Sequence, residues 1–341
     1  MAAPERRPLR GTKMQKLTLI EAGHKILEAE KIVITAHVSP DGDGIGSALG
    51  LWHYLRNKGK AAAVVFDDRL PIAFRFLKGY EEIINISDRP EVQPGEMPAD
   101  LLVVLDTDLG RIGRVREYVG ENVTTVNIDH HRTNDEQADF LFCDYRIAAV
   151  AEIIYELIVG LSGQEGLTKE IADCLYTGIC TDTGFFRYSN TRPATHRAAA
   201  TLVEAGAEPS IISETLDARP AERQRALVAA VQTMELFDDG RIGGIFLPYE
   251  QVKDIESTDG FIDFVRVIDT VEVAVMIKES QPGRCKASLR SKGLDVGSVA
   301  MQFGGGGHYR AAGCTIEEPL TVAKAKIIEA VTALVEGKAH E

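Results

Sequence analysis

Over the first 130 residues, short continuous apolar runs alternate with stretches whose apolar residues recur every three or four positions. "KIVITA" (31–36), "AAAVVF" (61–66), "DLLVVLDT" (100–107) and "TTVNID" (124–129) have strand length and little polar alternation, the pattern of strands buried on both faces. After the first of them, "IGSALGLWHYLRNKG" (45–59) places Ile45, Leu49, Trp52 and Leu55 at helical spacing, with Gly59 as a C-cap. Alternation of this kind predicts a parallel α/β sheet, which binds ligands beyond the carboxyl ends of its strands. From about 147 to 235 the spacing is mostly helical, and strand patterns then return in "RIGGIFLP", "VEVAVMIKE" and "RCKASLRSKG". The expected organisation is a flexible leader over 1–16, a parallel-sheet α/β domain over 17–205, a helical linker over 206–235 and a smaller α/β domain over 236–341.

Four polar clusters interrupt this pattern at element ends. "HVSPDGDGIGS" offers His37, Asp41 and Asp43; "VVLDTD" offers Asp106; "NIDHH" offers Asp129, His130 and His131; "GICTDTGFF" offers Asp182. Ionised carboxylates placed close together repel, so such a grouping calls for a cation or a proton. Several carboxylates with imidazoles favour a hard or borderline divalent ion such as Mn²⁺, Mg²⁺ or Co²⁺ over a thiolate-held zinc. Asp108, which also follows the third strand, reads as a loop or cap residue.

Composition narrows the class. The 341 residues, 45% hydrophobic and 26% charged, suit a soluble protein of two domains. No apolar stretch approaches the roughly 20 residues of a membrane span, and the basic start "MAAPERRPLRGTKMQK" lacks the apolar segment of a signal peptide. Five dispersed cysteines without a CxxC point to reduced thiols in a cytoplasm. A net charge of −13 argues against binding long duplex DNA; it leaves room for small anionic substrates, given metals and a local basic patch.

That basic patch is visible near the C-terminus. In "RCKASLRSKG", Arg284, Lys286, Ser288, Arg290 and Lys292 alternate with Cys285, Ala287 and Leu289, so a strand here has one basic face and one apolar face. No acid occurs between Gln281 and Leu294. The glycines of "GGGGHYRAAG" (Gly304–Gly307) allow backbone amides to approach a phosphate, and His308 supplies a donor. Phe185 and Phe186 are candidates for base stacking or core packing.

The ordered set "HVSPDGDGIGS", "LDT", "IDHH" and "CTDTGFF" resembles the four motifs of the DHH phosphoesterase superfamily. "GGGGHYRAAG", with "SLRSKG" upstream, is similar to the DHH-associated C-terminal domain of that family. The resemblance spans about residues 20 to 315. It implies one metal held by His37, Asp41 and Asp106 and a second held by Asp43, Asp106, His130 and Asp182, with Asp106 bridging. It implies that Asp129 orients an imidazole, that His131 serves the substrate without ligating metal, and that the metal pair, most readily Mn²⁺, delivers a water to phosphorus. In a strand-like backbone His130 and His131 would point to opposite sides. Arg290, Ser291, Gly305, Gly306, Gly307, His308 and, less directly, Arg111 are expected to bind substrate phosphate.

The branch that this layout resembles hydrolyses short oligoribonucleotides and 3′-phosphoadenosine 5′-phosphate (pAp), so short single-stranded oligonucleotides or small phosphorylated nucleotides are the expected partners. Hydrolysis of cyclic or linear dinucleotide signals is the alternative. Pyrophosphatase or polyphosphatase activity, a RecJ-type exonuclease and a non-catalytic nucleotide sensor are more distant rivals. The helical middle could supply a dimer face.

Overall fold

A computed structural model describes residues 14–337 apart from 121, 135, 136, 256 and 259. Most of the expected leader therefore lies outside the described residues. The chain divides into two compact units, Met1–Asp217 and Ala218–Glu341.

The first unit begins with β1 (Gln15–Lys16), α1 (Leu19–Glu28), β2 (Lys31–Thr35), α2 (Gly42–Asn57), β3 (Ala61–Phe66), β4 (Ile84–Asn85) and β5 (Leu101–Leu105). It continues with α3 (Val115–Val119), β6 (Thr124–Asp129), β7 (Phe140–Cys143), α4 (Val150–Ser162), α5 (Lys169–Asp182), α6 (Pro193–Glu204) and α7 (Pro209–Asp217). Its seven strands run in the order β1-β7-β6-β5-β2-β3-β4, and every pairing is parallel. From β2 the chain builds outward to β3 and β4, then returns to the other side of β2 with β5. The sheet order therefore reverses between β2 and β5, where such sheets open a crevice at their carboxyl edge. The four strands read from the sequence are β2, β3, β5 and β6. Gln15–Lys16, assigned by sequence to the leader, instead form an edge strand along β7, the Gln15 amide donating to Asp139 O at 2.9 Å.

A second difference matters for the site. The helix expected from residue 45 starts at Gly42 with Asp41 as N-cap, its carboxylate accepting from the amides of Asp43 and Gly44 at 3.0 Å each. Asp41 and Asp43 thus belong to a helix N-terminus. An N-cap oxygen satisfies amides that the helix itself leaves unpaired, which explains the early start despite three glycines. Helix α2 crosses α5 closely: a Cβ on Gly46 would lie 2.4 Å from the Cys174 carbonyl oxygen, and one on Gly178 would lie 2.9 Å from Asp43 Oδ1. At Gly59 the chain takes φ +78° just past the C-cap Lys58, the expected helix stop.

The second unit comprises α8 (Ala221–Gln232), β8 (Glu235–Phe237), β9 (Ile242–Leu247), α9 (Tyr249–Val252), α10 (Asp263–Arg266), β10 (Val273–Gln281) and β11 (Arg284–Ser291). It ends with α11 (Val296–Gln302), β12 (Gly306–His308), β13 (Ala311–Ile316) and α12 (Leu320–Gly337). Its six-stranded mixed sheet has the order β12-β13-β11-β10-β9-β8. One face packs on α11 and α12 through Val275, Ala287, Leu289, Val299 and Ile327. The opposite face is covered over β9 and β10 by Phe261, Ile262 and Val265. Among the described residues no helix is long and apolar enough to cross a membrane.

Candidate metal centre

Three adjacent strands deliver the first polar side chains. His37 follows β2, Asp106 follows β5, and Asp129 ends β6 with His130 and His131 beyond it. Asp43, in the first turn of α2, and Asp182, the last residue of α5, are brought in by the close crossing of those helices. The result is three overlapping sets whose donor atoms lie within 4.8 Å of one another: His37, Asp41 and Asp106; Asp43, His130 and Asp182; and Asp106, His130 and His131. All six expected metal ligands are therefore gathered in one place.

Asp106 is central to the geometry. It adopts φ +59°, a left-handed conformation that a short acidic side chain tolerates better than most, and it turns out of β5 at the switch point. Its Oδ2 lies 3.4 Å from His37 Nε2 and its Oδ1 lies 3.3 Å from His130 Nε2. Yet Oδ1 is buried without a hydrogen-bond partner among the described residues. A buried carboxylate oxygen left in that condition costs free energy, and a divalent cation satisfies it. The donor set, all oxygen and imidazole, fits such ions.

The surroundings are consistent with this fit. Burial works against charge on His37, but hydrogen bonds to Asp106 and Asp41 outweigh it and lift its pKa to about 10. Burial also opposes a charged His130, and Asp106 and Asp43 again overcome it and raise the group. Burial pushes Asp182 up, with His130 opposing and Asp106 adding to the rise. Asp43, fully enclosed, is raised by burial and by the charges of Asp106 and Asp182. These directions share one cause: crowded carboxylates disfavour one another's ionised forms and favour charge on the imidazoles beside them.

Asp43 has a support that the sequence did not reveal. Its Oδ2 accepts from the Val150 amide at 2.6 Å and its Oδ1 from the Ala151 amide at 2.8 Å, at the N-terminus of α4, while Ser47 Oγ donates to Oδ1 at 3.1 Å. A helix start is a natural seat for a carboxylate. Only the placement of α4 behind α2 reveals this, so no local motif could have signalled it.

The two histidines do not project to opposite sides of a strand. Strand β6 stops at Asp129, and the rings of His130 and His131 meet edge to face with centroids 4.6 Å apart. Their partners nevertheless differ. His130 Nδ1 lies 3.1 Å from Ile147 O, which leaves Nε2 facing Asp106 and Asp182. His131 Nδ1 lies 2.8 Å from Asp129 Oδ1, and that hydrogen bond raises the His131 pKa. Asp129 is held in turn by Asn134 Nδ2 at 2.6 Å, and Asn134 also donates to Asn127 Oδ1 at 2.7 Å. Asn127 reaches the carbonyls of Val104 and Thr107 at 3.0 and 2.7 Å. The histidine loop is thereby tied to the loop that carries Asp106. Sequence reasoning passed over both asparagines.

The remaining residues fall into place around this centre. Asp108 caps a short turn by accepting from the Gly110 amide at 2.7 Å. Arg111 is exposed in that turn, and its carbonyl accepts from the Val38 amide at 2.8 Å. Phe185 and Phe186 both have positive φ and pack against the core, with Phe186 stacked on His196 at 5.2 Å.

In the second unit, Arg290 and His308 are both register partners of Ala311, one on each side, so the three share a sheet face. Ser288 and Gly306 flank Gly313 in the next row. An open hollow of about 410 Å³ lies beside them, lined by Lys286, Ser288, Gly304, Gly305, Gly313 and Thr315. Small residues make up most of its lining, and Lys286 supplies its positive charge. Ser291 is not part of it. It falls on the buried face of β11, and its hydroxyl donates to Leu294 O at 2.5 Å. Gly305 and Gly307 have a packing reason to be glycine: added Cβ atoms would lie 2.2 Å from Gly313 O and 2.5 Å from Ala311 O. At Gly306 an added Cβ would meet nothing within 4 Å.

Comparison with known proteins agrees with this layout. Residues 31–179 match the model of the DHH family N-terminal domain, and residues 248–337 match the DHHA1 domain. A bifunctional oligoribonuclease and PAP phosphatase NrnA from Thermus thermophilus is 36% identical over 93% of this chain and 94% of its own length. A probable enzyme of the same name from Streptococcus mutans is 27% identical over 85% of this chain and 90% of its own. Among solved structures, an exopolyphosphatase-related protein from Bacteroides fragilis superposes with a TM-score of 0.82 at 27% identity, covering 92% of this chain and 96% of that one.

Proposed function

Because the chain belongs to the DHH family and carries a DHHA1 domain, and is therefore a metal-dependent hydrolytic phosphoesterase, we propose that its substrates are short oligoribonucleotides and pAp. The structural observation behind its metal-dependent chemistry is Asp106, a buried carboxylate common to two donor sets, with one oxygen that has no hydrogen-bond partner among the described residues. The names borne by relatives that match over nearly their whole length favour these substrates over cyclic or linear dinucleotide signals.

In this reading His37, Asp41 and Asp106 hold one divalent ion, and Asp43, Asp106, His130 and Asp182 hold the other, with Mn²⁺ the ion of choice. When bound, the pair supplies a nucleophilic water at neutral pH and offsets charge gathering on the phosphoryl oxygens. The protein's own groups do the rest. The α4 amides fix Asp43 and the cap bonds fix Asp41, so the carboxylates cannot swing to relieve their repulsion. In this reading His131, held through Nδ1 by Asp129, whose hydrogen bond raises its pKa, donates a proton from Nε2 to the leaving oxygen. Arg290 and His308 bind a further phosphate of the substrate with Lys286.

The test is turnover by the purified protein with Mn²⁺ on a dinucleotide, pAp, pyrophosphate and a cyclic dinucleotide. The first two should be hydrolysed, and Asp106→Asn should lower both rates by several orders of magnitude. Mn²⁺ should raise the melting temperature of the wild type and not of the variant, since only a site that binds in the folded state stabilises it. Activity confined to pyrophosphate or to the cyclic dinucleotide would overturn the substrate assignment.

A further inference from the structure

Beyond the carboxyl edge of the first unit's sheet, next to the histidine loop, lies an aromatic ring that the metal centre does not use. Tyr145 is 58% exposed and sits two residues past the end of β7. Strand β7 runs beside β6, with Cys143 in register with Asp129, and the Asp144 amide extends the ladder by donating to Asp129 O at 3.1 Å. The Cys143 thiol approaches His131 O at 3.5 Å. The segment bearing Tyr145 therefore lies alongside the one bearing His131.

Arg132, the residue after His131, places its guanidinium carbon 4.7 Å from the centroid of the Tyr145 ring. This contact is a cation–π pair, and it restrains both groups. Arg146 on the other side of the tyrosine is drawn away from it, with Nε and Nη2 bound to the Asp144 carboxylate at 2.9 and 2.7 Å. Tyr145 is thus a largely solvated aromatic surface with a cation against its ring. Proteins that hold unpaired nucleotides use this combination, stacking bases on aromatic faces and on arginine planes with little regard to base identity.

We propose that Tyr145 and Arg132 form a base-stacking platform for the nucleotide whose phosphate is cleaved. The proposal rests on the nucleotide substrate reading above and deepens it. It assigns recognition of the base to the first unit, whereas the phosphate contacts of the second unit read only charge. It predicts broad tolerance of base identity, since every base has a stackable face.

The probe is a phosphorothioate-linked dinucleotide containing 2-aminopurine, whose fluorescence falls on stacking, together with the same compound made abasic at that position. Binding of both is measured with Mn²⁺ to wild type, Tyr145→Ala and Tyr145→Phe, and hydrolysis of the ordinary dinucleotide is followed in parallel. We expect quenching by the wild type and by Tyr145→Phe. Tyr145→Ala should lose the quench and bind the base-bearing probe roughly tenfold or more weakly, yet hold the abasic probe within about twofold. Equal binding of the base-bearing probe by all three proteins, or equal weakening of both probes in Tyr145→Ala, would overturn the platform. Quenching that depends on Tyr145 without any hydrolysis would retain the platform and sink the substrate reading; hydrolysis with no dependence on Tyr145 would do the reverse. Because the ring is exposed, melting temperatures should agree among the three proteins, and Tyr145→Phe separates loss of stacking from loss of the hydroxyl.

Discussion

His130 and His131 are adjacent in sequence, and their rings touch, yet their hydrogen-bond partners differ, and the roles we propose for them differ accordingly. The Ile147 carbonyl takes Nδ1 of His130 and turns Nε2 toward two carboxylates, whereas Asp129 takes Nδ1 of His131. His130→Ala should therefore lower metal content, and His131→Ala should leave it nearly intact while lowering the rate, by about 10²–10⁴-fold if the residue is a general acid. Metal analysis of the two purified variants decides the matter, and equal metal loss in both would contradict the assignment. The acids and imidazoles of this centre were readable because their residue types are costly at strand ends without a cation. Asn127 and Asn134 were not, because an amide side chain has no charge to stand out and its role depends on neighbours brought by the fold. The amides of Val150 and Ala151 that grip Asp43 carry no signal in residue type at all.

Helices α2 and α5 set the distance between Asp43 and Asp182, and glycine sets the distance between the helices. A methyl group at Gly46 would run into the Cys174 carbonyl oxygen, which as backbone cannot move aside; one at Gly50 would meet only the Leu175 side chain. Alanine is otherwise favoured over glycine in a helix by about 1 kcal/mol, so any loss in Gly46→Ala is steric. Overpacking of this kind costs about 1–3 kcal/mol. Gly46→Ala should lower the melting temperature by several degrees and weaken Mn²⁺ binding, with Gly50→Ala milder in both. A Gly46→Ala protein with wild-type stability and wild-type metal affinity would show that the crossing does not hold the ligands. The sequence displayed the glycines but not the start of the helix, since the hydrophobic spacing of α2 begins only at Ile45; the N-cap role of Asp41 extends the helix by three residues. The four long buried strands were legible as apolar runs. Strands β1, β4 and β7, of two, two and four residues, are too short for periodicity to register.

Across the chain, charge is distributed unevenly, and the unevenness bears on function. A net charge of −13 repels a polyanion, and the metal centre gathers carboxylates that repel it further until cations are bound. The exposed side of β11 and β13 is the opposite case, with Lys286 and Arg290 beside small residues and His308 across Ala311 from Arg290. The alternation in "RCKASLRSKG" made this face legible, and the same alternation excludes Ser291 from it. If Arg290 holds a phosphate other than the one cleaved, removing it breaks a charge-assisted contact, and the loss should depend on the substrate. Arg290→Ala should lower kcat/KM roughly ten- to a hundredfold on pAp and on a dinucleotide bearing a terminal phosphate. It should act weakly on bis-p-nitrophenyl phosphate, which has no second phosphate to bind. The contrast is informative because Arg290 is only half-buried and, among the described residues, donates to nothing more than the neighbouring Leu289 carbonyl, at 3.0 Å, so the sheet loses little when it is truncated. An equal loss on all three substrates would mean that Arg290 supports the fold or a conformational step, and that the distal phosphate is read elsewhere.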